Sequence, residues 1–239
     1  MKKAAKIIFK LLIAFVGFFL LGFAILYFKY NEDLPNGNKG IQADALAHGI
    51  FSALNNKAYL KTDFISWKFG NKNYIWHKSA KKVTIKWSDN EVILNQDTIS
   101  KSKIMAPKSV SEKEKKELIA SAEASFNNDS FWLVAPFKLF DPGVERRYIP
   151  ATETENASLL VTYTNGGTTP GDSYQWFVNK NMIPEKFKMW VSIIPIDGLP
   201  ASWSNWTITE SGAIISANKK LLDIIPLPVS ELKTWNVTK

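Results

Sequence analysis

The residues able to do chemistry are few in this sequence. Histidine occurs twice, at His48 and His77, which is thin material for a zinc or iron site. Cysteine is absent, which excludes disulfides, zinc–thiolate sites and a lipidated cysteine. Serine and threonine are abundant, but no G-x-S-x-G turn presents one as a nucleophile, and two histidines are poor material for a triad. Asp141, Asp172 and Asp197 stand in loop-like contexts and would have to converge to work as a glycosidase-type acid–base pair. Each also fits as a turn residue bonding its own backbone. The stretch from Gly166 to Gly171 lacks the lysine and the following helix of a phosphate loop. The sequence therefore predicts no catalytic residue, no metal site and no cofactor.

Aromatic side chains are the abundant resource, at 13% of the chain with nine tryptophans. Many fall at strand spacing. There they serve as ordinary core, or they line a pocket for an apolar ligand. The candidate ligand-binding residues are Trp67, Trp176 and Trp190 as walls, with Trp132 and Phe137 near a mouth.

The elements that must position these residues begin with a membrane segment. From Leu11 to Phe28 the chain has only apolar, glycine or tyrosine residues, about 27 Å of helix and close to the thickness of a bilayer core. Residues 7–28 are expected to lie in the bilayer, with Lys10 snorkelling to the headgroups. Four lysines precede the run, and Glu32 and Asp33 follow it, which predicts a cytoplasmic N-terminus and an extracytoplasmic domain. The competing reading is a signal peptide cleaved near Gly22-Phe23-Ala24, but the chain stays apolar past that point. Gly17 and Gly22 are five apart, so no GxxxG pairing signal sets an oligomeric state.

This segment also explains the charge. The chain carries a formal +8, but five lysines lie in residues 1–30 with no acid, and the rest holds 25 basic against 22 acidic side chains. Those lysines alternate with acids rather than forming a stripe, so no nucleic-acid partner is expected.

Three parts follow: a tip and anchor over 1–30, a polar linker over 31–40, and one domain over 41–239. A first helix is predicted over 42–56 with Leu46, Ile50 and Leu54 on one face. About four antiparallel strands are expected over 62–100, from the alternation of Ile65, Trp67 and Phe69 and of Val83, Ile85 and Trp87. Ser111 and Glu114 form a capping box opening a second helix to about 127. Pro136 interrupts the apolar run from Phe131 to Phe140. Further strands carry Leu159, Val161 and Tyr163, then Tyr174, Trp176 and Val178, then Phe187, Met189 and Val191. The fold class is α+β, with nine or ten antiparallel strands and two helices.

The segment from Asn128 to Leu139 (NDSFWLVAPFKL), then Asp141-Pro142-Gly143-Val144, resembles the LolA/LolB-like half-barrel superfamily in an uncharacterised Bacteroidota branch. So do Thr169-Pro170-Gly171-Asp172 with Tyr174, then Pro184 and Met189-Trp190. The resemblance covers roughly 41–230. It implies a strongly curved antiparallel sheet, an incomplete barrel with helices packed in its concave face, and an apolar cavity of the kind that holds lipoprotein acyl chains. This chain departs from the family in carrying an anchor helix instead of a cleaved signal or a lipidated cysteine, so a diffusing shuttle is not expected. The expectation is a single-pass protein of the bacterial inner membrane with a periplasmic domain, binding an apolar or lipid-like ligand in envelope lipid or lipoprotein handling. The alternatives are a non-catalytic scaffold with a solid core and a hydrolase using the three aspartates.

Overall fold

The computed structural model describes residues 2–166, 168–227 and 229–237, with side chains from Lys6 onward; Gly167 and Pro228 lie outside the described residues. The first helix, α1, runs Lys2–Tyr30. Its stretch Lys6–Tyr30 has a mean hydropathy of 2.6 and is long and apolar enough to cross a membrane. Every residue from Lys6 to Leu21 is exposed, so none of the described residues covers this apolar surface.

Residues 31–40, expected as a linker, run along the domain. Asn38 and Tyr148 exchange two backbone hydrogen bonds of 2.8 Å. Lys39 pairs with Glu145 at 2.8 Å. Gly37 has no room for a side chain, since a Cβ there would meet the Arg147 Cβ at 2.9 Å and the Tyr148 carbonyl at 3.0 Å.

Two helices follow, α2 Ile41–Ala53 and α3 Asn56–Lys61. The buried stripe of α2 is Ala43, Ala47 and Ile50, continued by Leu54; Leu46 is only half-buried. Small residues let this helix approach β-structure closely, so the stripe is set by alanines rather than by the bulkier leucine.

The first sheet starts as a meander of β1 Phe64–Phe69, β2 Lys72–His77, β3 Lys82–Trp87, β4 Asn90–Asn95 and β5 Lys103–Ala106. Alternate residues Ile65, Trp67, Val83, Ile85, Val92 and Leu94 are buried, the period-2 signature of a sheet with one face on a core. Helix α4, Glu112–Val134, follows. The capping box forms as expected: Ser111 Oγ accepts from the Glu114 amide at 3.3 Å, and Glu114 Oε2 accepts from the Ser111 amide at 2.8 Å. The helix does not stop at Asn127-Asn128. Its buried face, Ile119, Ala122, Phe126, Asp129, Ser130 and Leu133, carries it on to Val134. It gives way at Pro136, which has no amide to donate, to a 3₁₀ turn over Ala135–Phe137.

The second sheet is a meander in chain order: β6 Val144–Ile149, β7 Ser158–Tyr163, β8 Ser173–Val178, β9 Pro184–Trp190, β10 Leu199–Ile208, β11 Ile214–Leu221 and β12 Ile225–Pro226. The last strand, β13 Val229–Trp235, returns to the first sheet and pairs with β1, giving sheets of six and seven strands. The fold is α+β, every recorded strand pair is antiparallel, and neither sheet closes. There are thirteen strands and four α-helices among the described residues. Helix α4 touches β4 and β5 of one sheet and β11 of the other, and the buried side chains of both sheets form one core cluster.

Candidate functional site

The inner face of the second sheet is built by strict alternation. Leu159 and Val161 of β7, Tyr174 and Trp176 of β8, Phe187 and Met189 of β9, and Ala201 and Trp203 of β10 are all buried in the core cluster. Register places them side by side, with Leu159 opposite Trp176, Trp176 opposite Phe187, and Phe187 opposite Ala201. The Trp176 ring lies 4.6 Å from Trp203 and 5.8 Å from Phe187, centre to centre. Opposite, on the first sheet, Trp67 stacks on Tyr74 at 4.5 Å. Helix α4 bridges the two faces. Its Phe126 meets Trp67 and Trp76, while its Phe131 and Trp132 meet Tyr174 and Phe187.

Of the expected ligand residues, Trp67 and Trp176 line this interior, at 2% and 0% exposure. Trp132 is half-buried with its ring 5.6 Å from Phe187, where α4 meets β9. Phe137 is not at a mouth. It is buried face to face with Tyr59 at 4.1 Å, and Lys78 lies over the same tyrosine. Trp190 is not a wall. It points away from Phe187 and Met189, and its indole donates to the Glu32 carbonyl at 2.9 Å beneath the chain leaving α1. Alternation along β9 forces this, since Phe187 and Met189 already take the inner face.

Two polar features sit in the interior. Tyr74 Oη donates to Asp129 Oδ2 at 2.5 Å, and Asn128 Nδ2 donates to Oδ1 at 2.9 Å, so a carboxylate only 4% exposed is held by two donors. Burial and this bond raise the tyrosine well above its usual range. Replacing Tyr74 with phenylalanine takes one of two donors from a buried carboxylate and is expected to cost about 2–3 kcal/mol in thermal unfolding. Asp129→Asn keeps an acceptor for the hydroxyl and should cost less.

The second feature is a set of donors without acceptors. The indole N–H groups of Trp67, Trp176 and Trp203 are buried with no partner among the described residues. Other tryptophans of the domain are paired: Trp76 donates to Gln96 at 2.7 Å and Trp206 to the Pro184 carbonyl at 2.8 Å. Lys219 lies directly across from Trp203 in the β10–β11 register and is 3% exposed. Burial pulls its pKa down to about 7, and among the described residues Nζ bonds only the Ser216 carbonyl. Trp203 and Lys219 were not among the residues expected from sequence. The alternation of Ala201 and Trp203 was a usable signal; beyond it Asn205 takes a left-handed φ of +52°, while the β10–β11 register continues unchanged.

The three aspartates have turn roles. Asp141 pairs with Lys138. Asp172 accepts from Thr169 Oγ1 at 2.5 Å and from the Ser192 amide at 3.0 Å. The backbone of Asp197 bonds Asn31 and Glu32. His48 stacks on Phe140, and His77 on Phe64. Among the described residues no three His, Asp or Glu side chains converge. Two hollows, of about 340 and 350 Å³, lie outside the interior, one between side chains of α1 and one beside the β5–α4 connection. No family model, no curated protein and no solved structure matches this chain.

Proposed function

We propose that the chain is a membrane-tethered binding module that takes an apolar, lipid-like ligand between its two sheets. Its setting is envelope lipid or lipoprotein handling at a bacterial inner membrane. The observation that carries this reading is the set of orphaned indole donors at Trp67, Trp176 and Trp203 in an otherwise aromatic interior. Buried polar groups in native proteins are almost always paired, so unpaired donors point to a missing acceptor. An acyl ester or carboxylate supplies that acceptor together with an apolar chain. The half-barrel resemblance of residues 41–230 supports the same ligand class. The lysines at the N-terminal end of α1 support a domain on the far side of the membrane from them. A ligand enters only by parting rings that now touch.

A second reading, an interaction module with a solid core, is favoured by that same ring-on-ring packing. Native mass spectrometry of the intact chain released from mild detergent separates the two. The binding reading predicts a retained lipid mass that falls several-fold when Trp176 and Trp203 are both changed to phenylalanine. A bare chain, or the same lipid mass in the double variant, contradicts it and leaves the solid-core reading.

A further inference from the structure

The chain leaves α1 without a hinge. Glu32 donates its amide to the Asp197 carbonyl at 3.2 Å, and Asn31 Oδ1 accepts from the Asp197 amide at 3.0 Å. Lys188 reaches Glu32 at 2.9 Å, and burial, which lowers its pKa, is outweighed by Glu32 and Glu155, so the ammonium stays charged. Gly198, at φ +77°, must be glycine here, because a Cβ would lie 2.3 Å from Glu32 Cγ. Leu26 and Tyr30, one turn apart on α1, pack against the core. Leu26 belongs to the apolar run. The part of the domain it touches therefore lies at the depth of the last turn of the apolar helix.

That contact fixes which end of the seven-stranded sheet faces the lipid. The β9–β10 loop, residues 191–198, bonds Asn31 and Glu32, the two residues directly after α1. The β11–β12 turn lies at the same sheet end, since Ala201 pairs with Leu221 and the Leu222 amide donates to the Pro200 carbonyl at 2.9 Å. The tips of both are apolar and open: Ile193 is 70% exposed, Ile224 75% and Ile225 48%. Residues 191–196 (VSIIPI) carry no charge, and Asp223 is the only charge in the turn 222–225. Single exposed isoleucines are unremarkable on a protein surface. Several at one sheet end, level with a bilayer-spanning helix, form a surface that one neighbour fits.

We infer that Ile193 and Ile224 insert into the headgroup layer of the bilayer that holds α1, so that the domain rests on the membrane by this end of the seven-stranded sheet. The occupant is the lipid surface rather than a second protein, because the loop that carries Ile193 is bonded to Asn31 and Glu32, the residues that directly follow the apolar helix. The inference rests on α1 spanning the membrane, and it does not depend on a ligand between the sheets.

The absence of native cysteine makes the test direct. Ile193→Cys, Ile224→Cys, Ile208→Cys and Phe18→Cys are each labelled with an environment-sensitive fluorophore in the full chain, reconstituted in phosphatidylcholine–phosphatidylglycerol nanodiscs with doxyl-labelled lipid. Ile208 is 76% exposed but lies at the opposite end of β10, roughly 30 Å from Leu199. It is matched in chemistry and differs in position. The expected result is blue-shifted emission at 193 and 224, with shallow-doxyl quenching at least about two-fold stronger than at 208, and deep-doxyl quenching at 18. If 193 and 224 behave like 208 while 18 is quenched, the anchor stands and the membrane contact is overturned. If 18 is also unquenched, α1 does not span and both fall.

Discussion

Trp176→Ala is expected to lower the stability of the domain by about 4 kcal/mol, the cost of emptying a fully buried aromatic site. Trp176 is 0% exposed, with Leu159 and Phe187 as its cross-strand neighbours and the Trp203 ring at its side. Those neighbours belong to different strands and cannot collapse together into the space, which puts the cost at the upper end of the usual range. For a domain of this size the melting temperature should fall by roughly 10 °C, measured by near-ultraviolet circular dichroism of the intact chain in detergent. Trp176→Phe keeps most of the ring and removes an unpaired donor, so its loss should be far smaller. A small effect of the alanine variant would mean that the interior is loosely packed.

The second large effect concerns Lys219. Among the described residues no carboxylate pairs with its buried ammonium, and burial brings its pKa from 10.5 down to about 7. Between those values the unfolded chain holds a proton that the folded chain has released. Stability therefore rises with pH, by up to about 1.4 kcal/mol per unit, and the penalty of the buried charge is fully present below pH 7. Lys219→Met should abolish that slope and raise stability at neutral pH by on the order of 3 kcal/mol. Melting curves of the two proteins between about pH 6 and 9 check this, because the other titrating groups cancel in the difference. Parallel curves at every pH would show that the ammonium reaches solvent in the folded protein.

Parts of this architecture were legible in the sequence because they depend on local pattern. The apolar run of α1 has no polar face and needs no tertiary partner to be recognised. The alternation of Ile65 with Trp67 and of Val83 with Ile85, each bounded by turn residues, marked β1 and β3 where they occur. Ser111 and Glu114 marked the start of α4.

What was not legible depends on distant partners. Asn127-Asn128 resembles a helix end, yet α4 continues because Leu133 and Val134 are buried and Tyr74, more than fifty residues earlier, satisfies Asp129. No local signal says that β13 returns to β1, so the division of the strands into two sheets is a property of long-range pairing. The place of Trp190 depends on both kinds of information. The grouping of Phe187, Met189 and Val191 on one face puts it on the other, while its partner there, the Glu32 carbonyl, lies far away in sequence. The orphaned indoles cannot be read from sequence, because a missing acceptor is visible only when every neighbour is in place.

The central claim is that a lipid-like ligand lies among those indoles, and photoaffinity mapping addresses it most directly. The intact chain in nanodiscs is irradiated with a fatty acid or phospholipid carrying a diazirine near the end of its acyl chain, and the labelled peptides are sequenced by mass spectrometry. The account predicts label on the strands bearing Trp67, Trp176 and Trp203, in addition to label on α1. Label confined to α1 and the membrane-facing loops would contradict it, leaving a tethered domain with a solid core.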